Sequence, residues 1–94
     1  MAATATLSPS AFARDIFHQI PAVEQVFVDA RGTCVDIVTV LDQNDPGDLK
    51  KLFAAEAQII DSLPDFQLSF DVILRMGRPL GEIISPKGNL LFSR

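Results

Sequence analysis

Residues 65–76 read DFQLSFDVILRM: Phe66, Leu68, Phe70, Val72, Leu74 and Met76 alternate without a fault with Asp65, Gln67, Ser69, Asp71, Ile73 and Arg75. A period of two is that of an extended strand, whose successive side chains leave opposite faces. One face of this strand therefore packs, and the other meets water or a partner. The rest of the chain has to supply the layer that covers the packed face. Two more strands are expected at 23–29 and 33–41, both rich in β-branched residues and separated by ARG. Gly32 can take the positive φ of a tight hairpin, so these two strands should be antiparallel neighbours.

Helices fill the intervals. Ser8 followed by Pro9 has the form of an N-cap with proline at the first helical position, and Phe12, Ile16, Phe17 and Ile20 recur at helical spacing before Pro21. The spacing predicts a helix over 9–20. After the loop DQNDPGD, Asp45 is the candidate cap, Pro46 the first helical residue and Asp48 a favourable charge near the positive end of the helix dipole. Leu49, Leu52, Phe53, Ala57, Ile60 and Leu63 then form one stripe, predicting a helix to about residue 62, ahead of Pro64. Phe70 is expected to pack beneath it against Leu52, Phe53 or Ile60. In the tail, GRPLGEII suggests a turn and one short helical turn, SPKG another turn, and NLLF a short strand.

The order is α-β-β-α-β plus a short C-terminal turn and strand. A crossover from the second strand through the long helix to the third should be right-handed and leave those strands parallel. Both helices can then cover one face of a mixed sheet, giving a two-layer α/β sandwich. With 94 residues and 48% hydrophobic content the chain suits one globular domain, expected over 9–94 behind a flexible N-terminus at 1–8.

Charge and cysteine usage narrow the function classes. Eight basic against twelve acidic residues give a net charge of -4, which argues against a nucleic-acid partner, since such partners are held by clustered Lys and Arg. Cys34 is the sole cysteine, so neither an intramolecular disulfide nor a paired-thiol metal site can form. The N-terminal MAATATLSPSAF has no basic and apolar regions of a secretory signal, and no stretch approaches the ~18 apolar residues needed to span a bilayer. No membrane association is expected, and a cytoplasmic location is.

The face left open by the helices carries the chemistry. In the second strand Val35, Ile37, Thr39 and Leu41 suit the covered face, which sends Cys34, Asp36, Val38 and Val40 to the open one. The third strand sends Asp71 there too. Asp36 and Asp71 are thus the candidate catalytic and metal-holding residues, able to share a cation or a proton if they converge. The simpler reading is that each is a solvated side chain on an uncovered face. Val38 and Val40 are the interface candidates, because a small domain gains by covering exposed valines with a second copy or another protein. His18, away from the apolar stripe of its helix, reads as a solvated or ion-paired residue, and Cys34 as a small apolar one.

The stretches VFVDARGTCVDIVTVLD, FDVI and IISPKGNLLFSR together resemble the minimal nucleotidyltransferase domain of the DNA polymerase β-like superfamily. In that family a Gly-Ser pair ends the first strand, two Asp residues stand one apart on the second, and a third carboxylate stands on the next. The resemblance implies that Asp36 matches the second acid and Asp71 the third, holding divalent cations that bind a nucleotide triphosphate. It also departs from the pattern. Cys34 stands in the place of the first acid, and no Gly-Ser occurs near Val28 and Asp29. A hard cation such as Mg²⁺ is poorly served by a thiol. Topology alone also resembles the type II KH module, but the unbroken helical segment and the acidic chain set that aside.

Two expectations follow. The first is a non-catalytic nucleotidyltransferase-like module without cofactor that acts by association with itself, as a homodimer, or with another protein. The alternative is a metal-dependent nucleotidyltransferase that works through Asp36 and Asp71 with Mg²⁺ and a nucleotide triphosphate.

Overall fold

A computed structural model describes residues 8–79 and 88–93. Residues 1–7 of the expected flexible segment 1–8, and the expected helical turn within 80–87, lie outside the described residues. Helix α1 (Pro9–His18) starts where the Ser8 side chain accepts a hydrogen bond from the Ala11 N–H, with Pro9 at its first position. Helix α2 (Pro46–Ser62) starts in the same way, the Asp48 N–H donating to Asp45 Oδ1 at 3.0 Å. In both, a side-chain oxygen satisfies an amide that the first turn leaves without a partner.

Strands β1 (Val23–Arg31) and β2 (Cys34–Leu41) pair antiparallel up to Arg31↔Cys34, leaving Gly32 and Thr33 as the turn. Gly32 has φ 62 and Thr33 is not among the positive-φ residues, the pattern of a type II′ turn with glycine first. The hairpin is therefore longer than an ARG connection allows, and Asp29 and Arg31 belong to it. Strand β3 (Gln67–Leu74) runs parallel to β2 after the helical crossover, and β4 (Asn89–Ser93) pairs antiparallel with β1. The sheet has four strands in the order β3-β2-β1-β4. The fold is thus a mixed α/β sandwich with the expected element order.

Both helices cover one face. Ala13 and Phe17 of α1 and Leu52, Ala55, Ile59 and Leu63 from the α2 side bury against Val26, Val28, Val35, Ile37 and Leu41. Phe66, just before β3, and Leu68, Phe70, Val72 and Leu74 within it also face this core but are only partly buried.

The inner stripe of α2 differs from the expected one. Leu52, Ala55, Ile59 and Leu63 are buried, whereas Phe53 and Ile60 are 54% and 50% exposed. Helix α1 packs on β1, β4 and α2, so α2 takes the β2–β3 half of the sheet. Lys51, Ala54, Ala55 and Gln58 line the groove that α2 shares with Ile16 and Ile20. At 3.6 residues per turn, Phe53 and Ile60 stand on the side of α2 away from that groove, toward the outer edge of β3. Phe70 packs against the buried core, to which α2 contributes Leu52, Ala55 and Ile59.

Candidate functional site

The open face can be read as rows that cross the strands. At the hairpin tip Arg31, Cys34 and Gln67 lie side by side, and next to them Asp29, Asp36 and Ser69. Then come Leu90, Phe27, Val38 and Asp71, and last Ser93, Gln25, Val40 and Ile73. Asp36 and Asp71 share the face, as expected, but not a row. The direct neighbours of Asp36 are Asp29 and Ser69, while Asp71 stands beside Val38.

Asp36 already has a cation. Arg31 Nη2 donates to Asp36 Oδ2 at 3.2 Å, and Arg31 Nε lies 3.6 Å from Asp29 Oδ2. One guanidinium thus bridges two carboxylates that the register sets opposite each other, a juxtaposition that would otherwise be repulsive. The arginine is 69% exposed, so water screens each contact and neither is worth more than about 1 kcal/mol. The sequence pattern does not pair Asp29 with Asp36, because a three-residue turn at ARG sets Asp29 opposite Thr33 instead. The signal that finds it is Gly-Thr read as a two-residue turn.

The donor set does not fit a hard divalent cation. Arg31 already engages the Asp36 carboxylate, and the Cys34 Sγ–H donates to Gln67 Oε1 at 3.4 Å. Cys34 is exposed, not the small packed residue the strand pattern suggests. Among the described residues no three His, Cys, Asp or Glu side chains gather in a metal-holding group.

The interface candidates separate. Val38 is half-buried, but Val40 is fully buried, although its face is the one the helices leave open. Val40 has no area to offer a partner, which corrects its assignment to an interface. Exposed apolar area lies on Phe53, Ile60 and Met76, and on Leu90 in the same row of the open face as Val38.

At the other end of the sheet, Arg75 ties three strands together. Its guanidinium pairs with both Glu24 oxygens, Nη2 to Oε2 at 2.9 Å, and Nη1 lies 3.6 Å from Asp42 Oδ1. The hydrogen bond with Glu24, before any other cause, raises the Arg75 pKa above its ordinary value. The Gly77 N–H adds a bond to Asp42 Oδ1 at 2.7 Å. The end of β3 is thereby held to the start of β1 and the end of β2.

The outer edge of β3 is the least protected part of the sheet. The Gln67 N–H donates to Thr33 O at 2.7 Å and the Arg75 N–H to Leu41 O at 2.8 Å, so the odd-numbered residues of β3 bond inward to β2. Backbone groups alternate sides along a strand. The N–H and C=O of Leu68, Phe70, Val72 and Leu74 therefore point to the free edge, where no described strand pairs with them. Most natural edges carry Lys, Pro or a bulge that discourages pairing. This one carries none, and its eight residues pair with β2 in an unbroken register. The opposite edge, β4, is only five residues long and its ladder with β1 is interrupted by a register shift.

Glu56 lies on α2 between the buried row and the exposed Phe53 and Ile60. Its Oε2 is shielded from water and has no hydrogen-bond partner, and burial pushes its pKa up. A carboxylate so placed destabilises the fold wherever it must ionise, above its raised pKa, and the penalty fades as pH falls through that value. Glu56→Gln is expected to stabilise at pH 7 by roughly 0.5 kcal/mol, a figure reduced for partial exposure. Urea melts at pH 7 and pH 4 should show the gain shrinking at the lower pH, and a gain independent of pH would remove ionisation as the cause.

Among the described residues no helix is long and apolar enough to cross a membrane. No protein-family model and no curated protein matches the chain.

Proposed function

We propose that this chain is a small non-catalytic module that works by protein association, and that its likeness to the minimal nucleotidyltransferase is one of scaffold. The observation that carries the reading is the outer edge of β3, with which no described strand pairs, and Phe53 and Ile60 exposed on the flank of α2 above it. A strand edge presents ready hydrogen-bonding groups, and apolar side chains beside it supply the area that hydrogen bonds alone lack. The rows of the open face support the same reading. Asp36 is engaged by Arg31, Asp71 is displaced by a row, and the thiol at position 34 suits Mg²⁺ badly.

The test is a thermal melt with millimolar Mg²⁺ and a nucleoside triphosphate. A binding site would stabilise by RT ln(1 + [L]/Kd), about 2.7 kcal/mol at a hundredfold excess over Kd. The association reading expects no shift in melting temperature. A shift present in the wild type and lost in both Asp36→Asn and Asp71→Asn would replace it with the metal-dependent transferase.

A further inference from the structure

The partner of the β3 edge can be specified from the strand itself. We infer that the edge pairs with a second copy of this chain, antiparallel, about a two-fold axis through Phe70, joining two sheets into one of eight strands with all helices on the same side. This rests on the association reading and names its partner.

Residues directly opposite in an antiparallel pair share a face, so a two-fold axis normal to the sheet must pass through a residue, not between two. With the axis at Phe70, that residue meets its own copy, Leu68 meets Val72 of the second copy, and Phe66 meets Leu74. All are apolar and only partly buried in one chain. Phe70, Leu68 and Val72 are also the residues whose N–H and C=O point outward, so Phe70 exchanges both hydrogen bonds with its copy and the flanking pairs do likewise. On the other face Ser69 meets Asp71 of the second copy, and its hydroxyl can donate to that carboxylate. By symmetry this contact forms twice.

Moving the axis to Asp71 would set Asp71 against Asp71, a like-charge pair that is destabilising. Moving it to Ser69 or Val72 keeps the faces but shortens the paired length. The Phe70 register is therefore the one in which chemistry and length agree. Exposed Phe53 and Ile60 lie beside the seam on each copy. An aromatic side chain can bury about 150–250 Å², and a specific interface needs roughly 1,200 Å² or more. The two Phe53 and two Phe70 side chains, already partly buried in one chain, contribute part of this, together with the paired strands, Leu68, Val72 and Ile60.

The experiment is sedimentation equilibrium on the full chain and on three variants, each checked for folding by circular dichroism. Ser69 and Phe53 are exposed, so substitution there leaves the core intact. The wild type is expected to dimerise at micromolar concentration. Ser69→Asp places an acid against Asp71 of the second copy twice and should weaken the dimer about tenfold, while Ser69→Lys should tighten it by a similar factor. Phe53→Lys should weaken it regardless of register. A chain that stays monomeric to about 100 μM and shows no melting shift with Mg²⁺ and nucleotide would overturn the second copy as partner and leave the association reading standing. A dimer indifferent to all three substitutions would place the interface on another surface and overturn the inference equally.

Discussion

Phe17→Ala is expected to remove about 3–5 kcal/mol of stability, a large part of the roughly 5–15 kcal/mol that a domain has. Among the described residues Phe17 is the largest fully buried side chain, and it sits on α1, which packs on the sheet and on α2. Its removal leaves a cavity bounded by β-strand residues such as Val26 and Val28, which the sheet's hydrogen bonds hold in place, so the site cannot collapse to fill it. Urea melts followed by circular dichroism measure the loss. A change below about 1 kcal/mol would mean that α1 is not seated on the sheet as described. The equivalent change at Phe70 should cost less, because that residue is half-buried on an edge strand.

The second large effect is expected at Gly88, the residue that leads into β4. It has φ 117, a region that side chains other than hydrogen rarely enter. A Cβ there would stand 2.6 Å from Val28 O and 3.0 Å from Asp29 N, both backbone atoms of β1 that cannot move aside. Gly88→Ala therefore adds a clash to backbone strain of about 1–3 kcal/mol. The relief available to the chain is to withdraw β4 from β1. Gly32→Ala is the control: φ is 62 and nothing lies within 4 Å of the added carbon, so only strain of about 1–2 kcal/mol remains. Amide exchange on β1 should rise in the first variant and not in the second. Equal effects at the two glycines would show that the close approach of Gly88 to Val28 is unimportant.

Much of the fold is legible in the residues because local chemistry and periodicity agree. Caps at Ser8 and Asp45, proline after each, and glycine before Thr33 are local signals that the fold obeys. The alternation of β2 and β3 fixes their faces without reference to anything distant. What is not legible depends on neighbours. Helix α2 has apolar residues on more than half of its circumference, so Leu52, Ala55 and Ile59 compete with Leu49, Phe53 and Ile60 for the inner face. The position of α1 decides between them. The same holds for the site. A hairpin turn at Gly32–Thr33 instead of ARG brings Asp29 opposite Asp36 in place of Val26, and Val40 is buried on a face that the strand pattern alone leaves open.

The strand order also sets a sequence of events in time. Strands β1 and β2 meet across two residues, whereas Cys34 and Gln67 are 33 positions apart and Gln25 and Ser93 are 68 apart. Each doubling of a closed loop costs about 0.6 kcal/mol more in chain entropy, and contacts between distant residues form late. The hairpin is the natural first structure, β3 joins it once α2 has formed, and β4 docks last on β1. A strand that arrives last and pairs along an interrupted ladder is also the first to leave. Until it arrives, β1 offers a second bare edge, so a nascent chain passes through a stage with two adhesive margins, and the final five-residue strand closes one of them.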